Sequence, residues 1–366
     1  MVFPMFAKNT RSYYLPLLST SYRQSAAMLH LALLLTCFAV FVLGNIDFVS
    51  AQAVRAKPST KTTDDEQTRP EEVTLKTKDK VQLVCTYFAP VAAEASAAEE
   101  SKPDTDEAEP ADGKRVIPYI ILHDWKSSRA DTAALAKFLS DQGNAVITPD
   151  LRGHGDSTKI AGIDTEIDAA DFKPSDIGTV LTDIERCKRF LVKKNNAGEL
   201  NIDMLAVIAI GKTVPLAAQW VVSDWTSYAP FKNGIKQGQD VKALIMIAPE
   251  KTLGPFSMNR CSSASIFAGK NALPTIVAWG TESEKAKEAL SIYNRLKKKR
   301  PKGSSADTKT LFQAPLRNSS NSSLNGVQIG SDENLGKLWS YFHKTVFNKI
   351  NKNIDKLPWQ DRSKKP

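Results

Sequence analysis

The stretch from Leu205 to Ala218 leaves this chain few ways to fold. Leu205-Ala206-Val207-Ile208-Ala209-Ile210 is apolar without a break, and after Gly211-Lys212-Thr213 comes Val214-Pro215-Leu216-Ala217-Ala218, small and apolar again. A strand with one wet face alternates polar and apolar residues, whereas an unbroken run of this length fits a strand buried on both faces. Pro215 suits the first turn of a following helix, where a missing N–H costs little. A buried strand passing directly into a helix is the unit from which parallel sheets are built.

The same alternation extends along the chain. Residues 73–77 and 81–88 alternate around Lys78-Asp79-Lys80, which predicts a hairpin. Strands are expected at 116–122, 145–149, 204–210, 241–247, 274–279 and 308–312. Helices are expected at 130–142, 175–194, 214–223, 285–299 and 335–350. In the second of these, Ile177, Val180, Leu181, Ile184, Cys187 and Leu191 share one face. The expected class is therefore α/β: a mostly parallel central sheet, an N-terminal antiparallel hairpin, and helices on both faces.

The ends of the chain read differently. Residues 26–44 are almost continuously apolar, follow basic residues and precede the small-residue patterns at 49–53. This reads as an export signal cleaved before Gln52 or Val54, or as an uncleaved membrane anchor. Either puts the globular part outside the cytoplasm, as a periplasmic or extracellular protein or one held at the membrane. Residues 54–72 read as a flexible linker. Residues 91–113, with eight acidic residues and one lysine, read as a disordered surface insertion, and residues 351–366 as a basic tail. Of four cysteines, Cys37 lies in the apolar run. Cys85, Cys187 and Cys261 have no C-x-x-C spacing, so neither a disulfide framework nor a zinc site is expected; one bridge plus a free thiol and three buried thiols both remain open. The net charge of +9 is spread along the chain. Its densest run, Lys297-Lys298-Lys299-Arg300, has no interleaved aromatics and reads as a solvated helix end, so no nucleic-acid partner is expected. Asn318-Ser319-Ser320 and Asn321-Ser322-Ser323 are formal glycosylation acceptors.

Pro149-Asp150-Leu151-Arg152-Gly153-His154-Gly155-Asp156-Ser157 resembles the D-x-R-G-x-G-x-S turn after the fourth strand of lipase- and esterase-like α/β hydrolases. Ile121-Leu122-His123-Asp124-Trp125 resembles their strand-end H-G-x loop, which carries one oxyanion-hole amide; Asp124 stands where that loop keeps glycine. Residues 236–241 and 272–280 fit the sixth and seventh strands. The resemblance spans residues 73–350 and implies the α/β-hydrolase fold, with a site at the C-terminal edge of the sheet.

Active members bring together a nucleophile, a histidine base and an orienting acid. In the G-x-S-x-G pattern the serine position falls on Gly211, which has nothing to attack with. Thr213 reads as a helix cap, and the site as an ordinary strand-to-helix turn. The acid position after the seventh strand falls on Ser283, flanked by Glu282 and Glu284; Glu250, after the sixth, is another acid, and all three read as loop carboxylates. The histidines are His30 in the apolar run, His123 and His154 in the two loop motifs, and His343 inside the last helix rather than in the loop before it. Gly211-Lys212-Thr213 imitates the end of a phosphate loop, but the glycine needed five positions earlier is Ala206, so no nucleotide is expected.

The expected pocket is therefore His123, Asp124, Trp125, Asp150, His154, Gly211, Lys212 and Glu250, without metal or cofactor. The expected function is an exported, catalytically degenerate binding protein for a small apolar or acyl ligand, with membrane association through residues 26–44. The alternative is an active hydrolase of ester-like substrates in which Asp150 or Asp124, with His123 or His154, activates water. A third reading is a scaffold whose acidic insertion or basic tail binds a partner.

Overall fold

The computed structural model describes residues 69–91, 113–226, 231–232, 234–301, 310–316, 336, 338, 340–342 and 357–363. The expected segments 1–53, most of 91–113, His343 and the two Asn-x-Ser sites lie outside them.

Strand β1 (Glu71–Lys76) pairs antiparallel with β2 (Gln82–Phe88), from Glu71 opposite Tyr87 to Lys76 opposite Gln82. Lys80 takes a left-handed backbone (φ 68°) in the turn, where Thr77 N–H donates to the Val81 carbonyl over 3.0 Å. After β3 (Pro118–Leu122), a 3-10 turn at Arg129–Thr132 leads into α1 (Ala133–Asp141) and β4 (Ala145–Pro149). Helices α2 (Pro174–Thr179) and α3 (Leu181–Asn196) precede β5 (Leu205–Ile210), which turns into α4 (Val214–Thr226). Two short hairpins, β6 (Phe231–Lys232) with β7 (Ile235–Lys236) and β9 (Thr252–Leu253) with β10 (Phe256–Ser257), flank β8 (Val241–Ile247). Then follow α5 (Met258–Cys261), β11 (Thr275–Gly280), α6 (Ala286–Lys298) and β12 (Leu311–Leu316). Residues 336, 338 and 340–342 are helical.

The main sheet runs β1-β2-β4-β3-β5-β8-β11-β12, with β2 antiparallel to β4 and every pair from β4 to β12 parallel. Leaving aside the two hairpins, that is the order 1-2-4-3-5-6-7-8. It is the order of the α/β-hydrolase fold, and the chain has that fold. Alternate strand residues feed two cores. Ile120, Val207, Leu244 and Val277 face α3, α4 and α6, while Tyr119, Ile208, Ile245 and Ile276 face α1 and Leu338 and Phe342. Pro315 is tolerated because β12 is an edge strand.

The expected helix 175–194 is two helices. Around Val180 the backbone bonds tighten to i→i+3, Val180 N–H to Ile177 and Asp183 N–H to Val180, each over 3.0–3.2 Å. Thr179 and Thr182 donate their hydroxyls back to the Asp176 and Thr179 carbonyls (2.7 Å each) and accept from the Arg152 guanidinium (2.9 Å each). Side chains that bind backbone in this way compete with the regular ladder. The expected strand 308–312 lies at 311–316, its register set by pairing with β11.

Cys85, Cys187 and Cys261 are all buried and free. The described part of the expected basic tail is docked. Trp359 Nε1 donates to the Asn195 carbonyl (3.0 Å), and Arg362 reaches buried Asp240 with two nitrogens (3.0 and 2.5 Å). Lys188 holds the same Asp240 at 2.7 Å and Asp224 at 2.5 Å. Among the described residues no helix is long and apolar enough to cross a membrane.

Candidate functional site

Strand β5 ends at Ile210, and the chain reverses through a 3-10 turn at Gly211–Thr213 before α4 begins. Gly211 sits at φ +59°, left-handed backbone that costs glycine little and other residues strain. The elbow between β5 and α4 carries no side chain at this left-handed position. Thr213 does not cap α4 with its side chain. Its hydroxyl lies 2.8 Å from the Ile210 carbonyl and 2.9 Å from that of His123, tying the elbow to the loop after β3.

That loop delivers Asp124. Its Oδ1 accepts from Lys212 N–H and from Trp125 N–H, both at 2.7 Å. Two backbone donors converging on one oxygen, one of them just after the elbow, is the arrangement that an acyl-transfer site offers to an oxyanion. Here the oxygen is the protein's own. A Cβ on Gly211 would lie under 3.0 Å from Asp124 Cγ and both its carboxylate oxygens, so one side chain occupies both the nucleophile's space and the oxyanion's. Burial raises the Asp124 carboxyl above its ordinary range, opposed by the Lys212 and Trp125 N–H bonds.

Glu250, after β8, joins the elbow through its N–H to the Gly211 carbonyl (3.1 Å), and its carboxylate pairs with Lys285. Ser283, at the acid position, is buried. Its Oγ accepts from Lys285 N–H (3.1 Å) and its carbonyl from Ala286 N–H (2.9 Å), so it shapes the turn that aims Lys285. Glu282 and Glu284 are exposed.

Neither described histidine is placed as a base for this elbow. His123 is fully buried. Its Nε2 accepts from Leu151 N–H (3.1 Å), which leaves the proton on Nδ1, 2.8 Å from the Asp124 carbonyl. Burial lowers its pKa to about 4, so the ring is neutral at ordinary pH. His154 is buried against Trp125 (ring centroids 4.5 Å) and His123 (5.1 Å). Its Nδ1 lies 3.1 Å from the Arg152 carbonyl, and its Nε2 is buried without a partner among the described residues. Burial lowers its pKa as well.

Asp150 is committed elsewhere. It accepts from Arg129 N–H (2.6 Å) and Asp156 N–H (2.9 Å) and pairs with the Arg129 guanidinium, which also reaches Glu72 and Asp156. It lines a separate cavity of about 600 Å³ with Thr86, Phe88, Ala133 and Ala134; Asp124, Trp125, Gly211 and Lys212 do not line that cavity.

Of the expected pocket, the fold therefore gathers Asp124, Trp125, Gly211, Lys212 and Glu250, with His123 and His154 behind them and Asp150 to one side. Lys285 and the linking role of Thr213 were not read from the sequence. Among the described residues no three His, Cys, Asp or Glu side chains come together as a metal-ligand group.

No family model and no curated protein matches the chain. Among solved structures, it is similar in fold to an esterase of Pyrococcus furiosus, at 13% identity and TM-score 0.48, covering 80% of this chain and 98% of that one. A putative dienelactone hydrolase of Klebsiella pneumoniae has 12% identity and TM-score 0.48, covering 76% and 98%. An α/β serine hydrolase without a lid from Xanthomonas campestris has 12% identity and TM-score 0.43, covering 78% and 95%.

Proposed function

We propose that this α/β-hydrolase-fold chain is a catalytically degenerate binding protein, exported or held at the membrane by residues 26–44, that takes up a small molecule at the elbow without cleaving it. One observation carries the reading: the Asp124 carboxylate fills the donor pair and lies against the bare Cα of Gly211. A substrate carbonyl would need those same donors, and removing one such donor from a working site costs roughly 10²–10³ in kcat. A carboxylate tethered in place removes both. The serine is missing, His123 is neutral with both ring nitrogens on backbone, and the acid position is a turn-forming serine.

The test is turnover of p-nitrophenyl acetate and butyrate by the full chain, beside labelling with a fluorophosphonate. The expected result is hydrolysis at the buffer rate and no covalent label. Turnover well above buffer that falls on changing His123 or His154 would overturn the proposal and restore the water-activating alternative.

A further inference from the structure

We infer that the ligand of this site is a small amine, a primary ammonium compound whose N–H groups meet the outward oxygen of Asp124. The inference rests on the binding reading above and adds the ligand's chemistry. In a working acyl-transfer site the elbow presents donors: two backbone N–H groups waiting for negative charge. Here both donors are spent on Asp124 Oδ1, and Oδ2 has no hydrogen-bond partner among the described residues. The polarity of the site is inverted, from a place that receives an anion to a place that presents one.

The charges agree. Glu250 is matched by Lys285, whose charge also acts on Asp124, but no ion pair among the described residues includes Asp124, although it is half-buried. Burial already works against its ionised form, so an incoming cation relieves a cost the protein carries when empty.

The neighbourhood adds an aromatic cluster. The Trp125 ring, half-buried beside Asp124, packs edge-on to His154 at 4.5 Å and to Phe172 at 6.3 Å. Indole faces attract ammonium groups. Negative charge and aromatic surface are a cation's environment, and an acyl oxygen finds no free donor on Asp124.

The test compares n-butylammonium with butyrate, two probes of similar size and opposite charge, by titration calorimetry on the full chain. The wild type is expected to bind butylammonium saturably and butyrate not at all. Asp124→Asn keeps an acceptor for both N–H groups but loses the charge, and is expected to weaken butylammonium by about tenfold or more. Asp124→Gly frees the donor pair and is expected to exchange preference, taking butyrate instead. The inference is overturned if the wild type ignores butylammonium, if binding survives Asp124→Asn unchanged, or if folded Asp124→Gly gains nothing for butyrate. If Asp124→Gly does not fold, Asp124→Asn decides. Ester turnover, measured separately, tells the two proposals apart: no turnover and no amine binding removes only this inference, whereas turnover by the wild type removes the binding reading whatever the amine does.

Discussion

Asp124 and Gly211 are complementary departures: the carboxylate of one occupies the space where the side chain of the other would begin. The elbow can hold a serine at 211 or an aspartate at 124 in this rotamer, but not both. Gly211→Ser alone is therefore expected to lose about 1–3 kcal/mol through overpacking, with a further cost for the φ of +59°. Asp124→Gly combined with Gly211→Ser should recover the packing part and leave the φ part. A double-mutant cycle on denaturant unfolding reads this directly, and strictly additive losses would show that the two side chains do not compete for one space. Neither variant is expected to gain ester turnover, because no described histidine is placed to take the serine proton.

His123 makes the fold acid-sensitive. Its folded pKa is about 4 and its unfolded value about 6.5, so below pH 6.5 the unfolded chain binds a proton that the folded chain refuses. Its contribution to stability is full above pH 6.5 and is lost as the pH falls toward 4, by about 3 kcal/mol across that window. His123→Gln, whose side-chain oxygen can still accept from Leu151 N–H, is expected to be less stable than the wild type at pH 7 but to show a flatter decline from pH 6.5 to 4. Unfolding midpoints at half-unit pH intervals supply the comparison, and parallel curves would sink the assignment.

The fold was legible because strand burial is written locally. Leu205–Ile210 and Val241–Ile247 are unbroken apolar runs, and both are buried central strands. The break at Val180 was not legible, since it depends on Arg152, almost thirty residues earlier, reaching Thr179 and Thr182. At the site, the missing serine and the aspartate in the glycine position were each visible as separate mismatches. Their relation was not, because it requires the loops after β3 and β5 to lie side by side, as the pairing of Leu122 with Ala209 makes them. The signal was nevertheless there: an aspartate where the resembled loop keeps glycine, and a glycine where the resembled turn keeps serine. Lys285 carried no such signal, because its role comes from the turn at Ser283 that points it toward Glu250.

Residues 357–363 close the end of the sheet opposite the elbow, held by Arg362 together with the Trp359 indole and the Asn195 and Asn201 side-chain amides. The Arg362 side chain is almost wholly buried and shares Asp240 with Lys188. Removing one member of a buried charge cluster leaves its partner undercompensated, so Arg362→Ala is expected to cost about 3 kcal/mol, and Arg362→Lys to recover little because an ammonium cannot reproduce the two-pronged contact. Chemical denaturation of both variants checks this. A loss within about 0.5 kcal/mol, the scale of ordinary surface changes, would mean that the segment is not docked in solution.

Asp124 also bears on whether the elbow is kept for stability or for binding. Its carboxyl is raised by burial, so the folded chain holds a proton there more readily than the unfolded chain does. For an acid shifted in that direction, ionisation near neutral pH is a net cost to the fold, and the cost disappears once the group is protonated in both states. Asp124→Asn keeps an oxygen for Lys212 and Trp125 N–H while removing the charge. It is therefore expected to melt higher than the wild type at pH 7, with the difference closing as the pH falls below the ordinary carboxylate range. A residue kept solely to brace the elbow would show the opposite, a lower melting point at pH 7, because the two charge-assisted bonds would have been its purpose. A higher melting point together with loss of butylammonium binding would place Asp124 among residues retained for function at the expense of stability. Thermal unfolding of the two proteins from pH 3 to 8, with and without the amine, separates these outcomes.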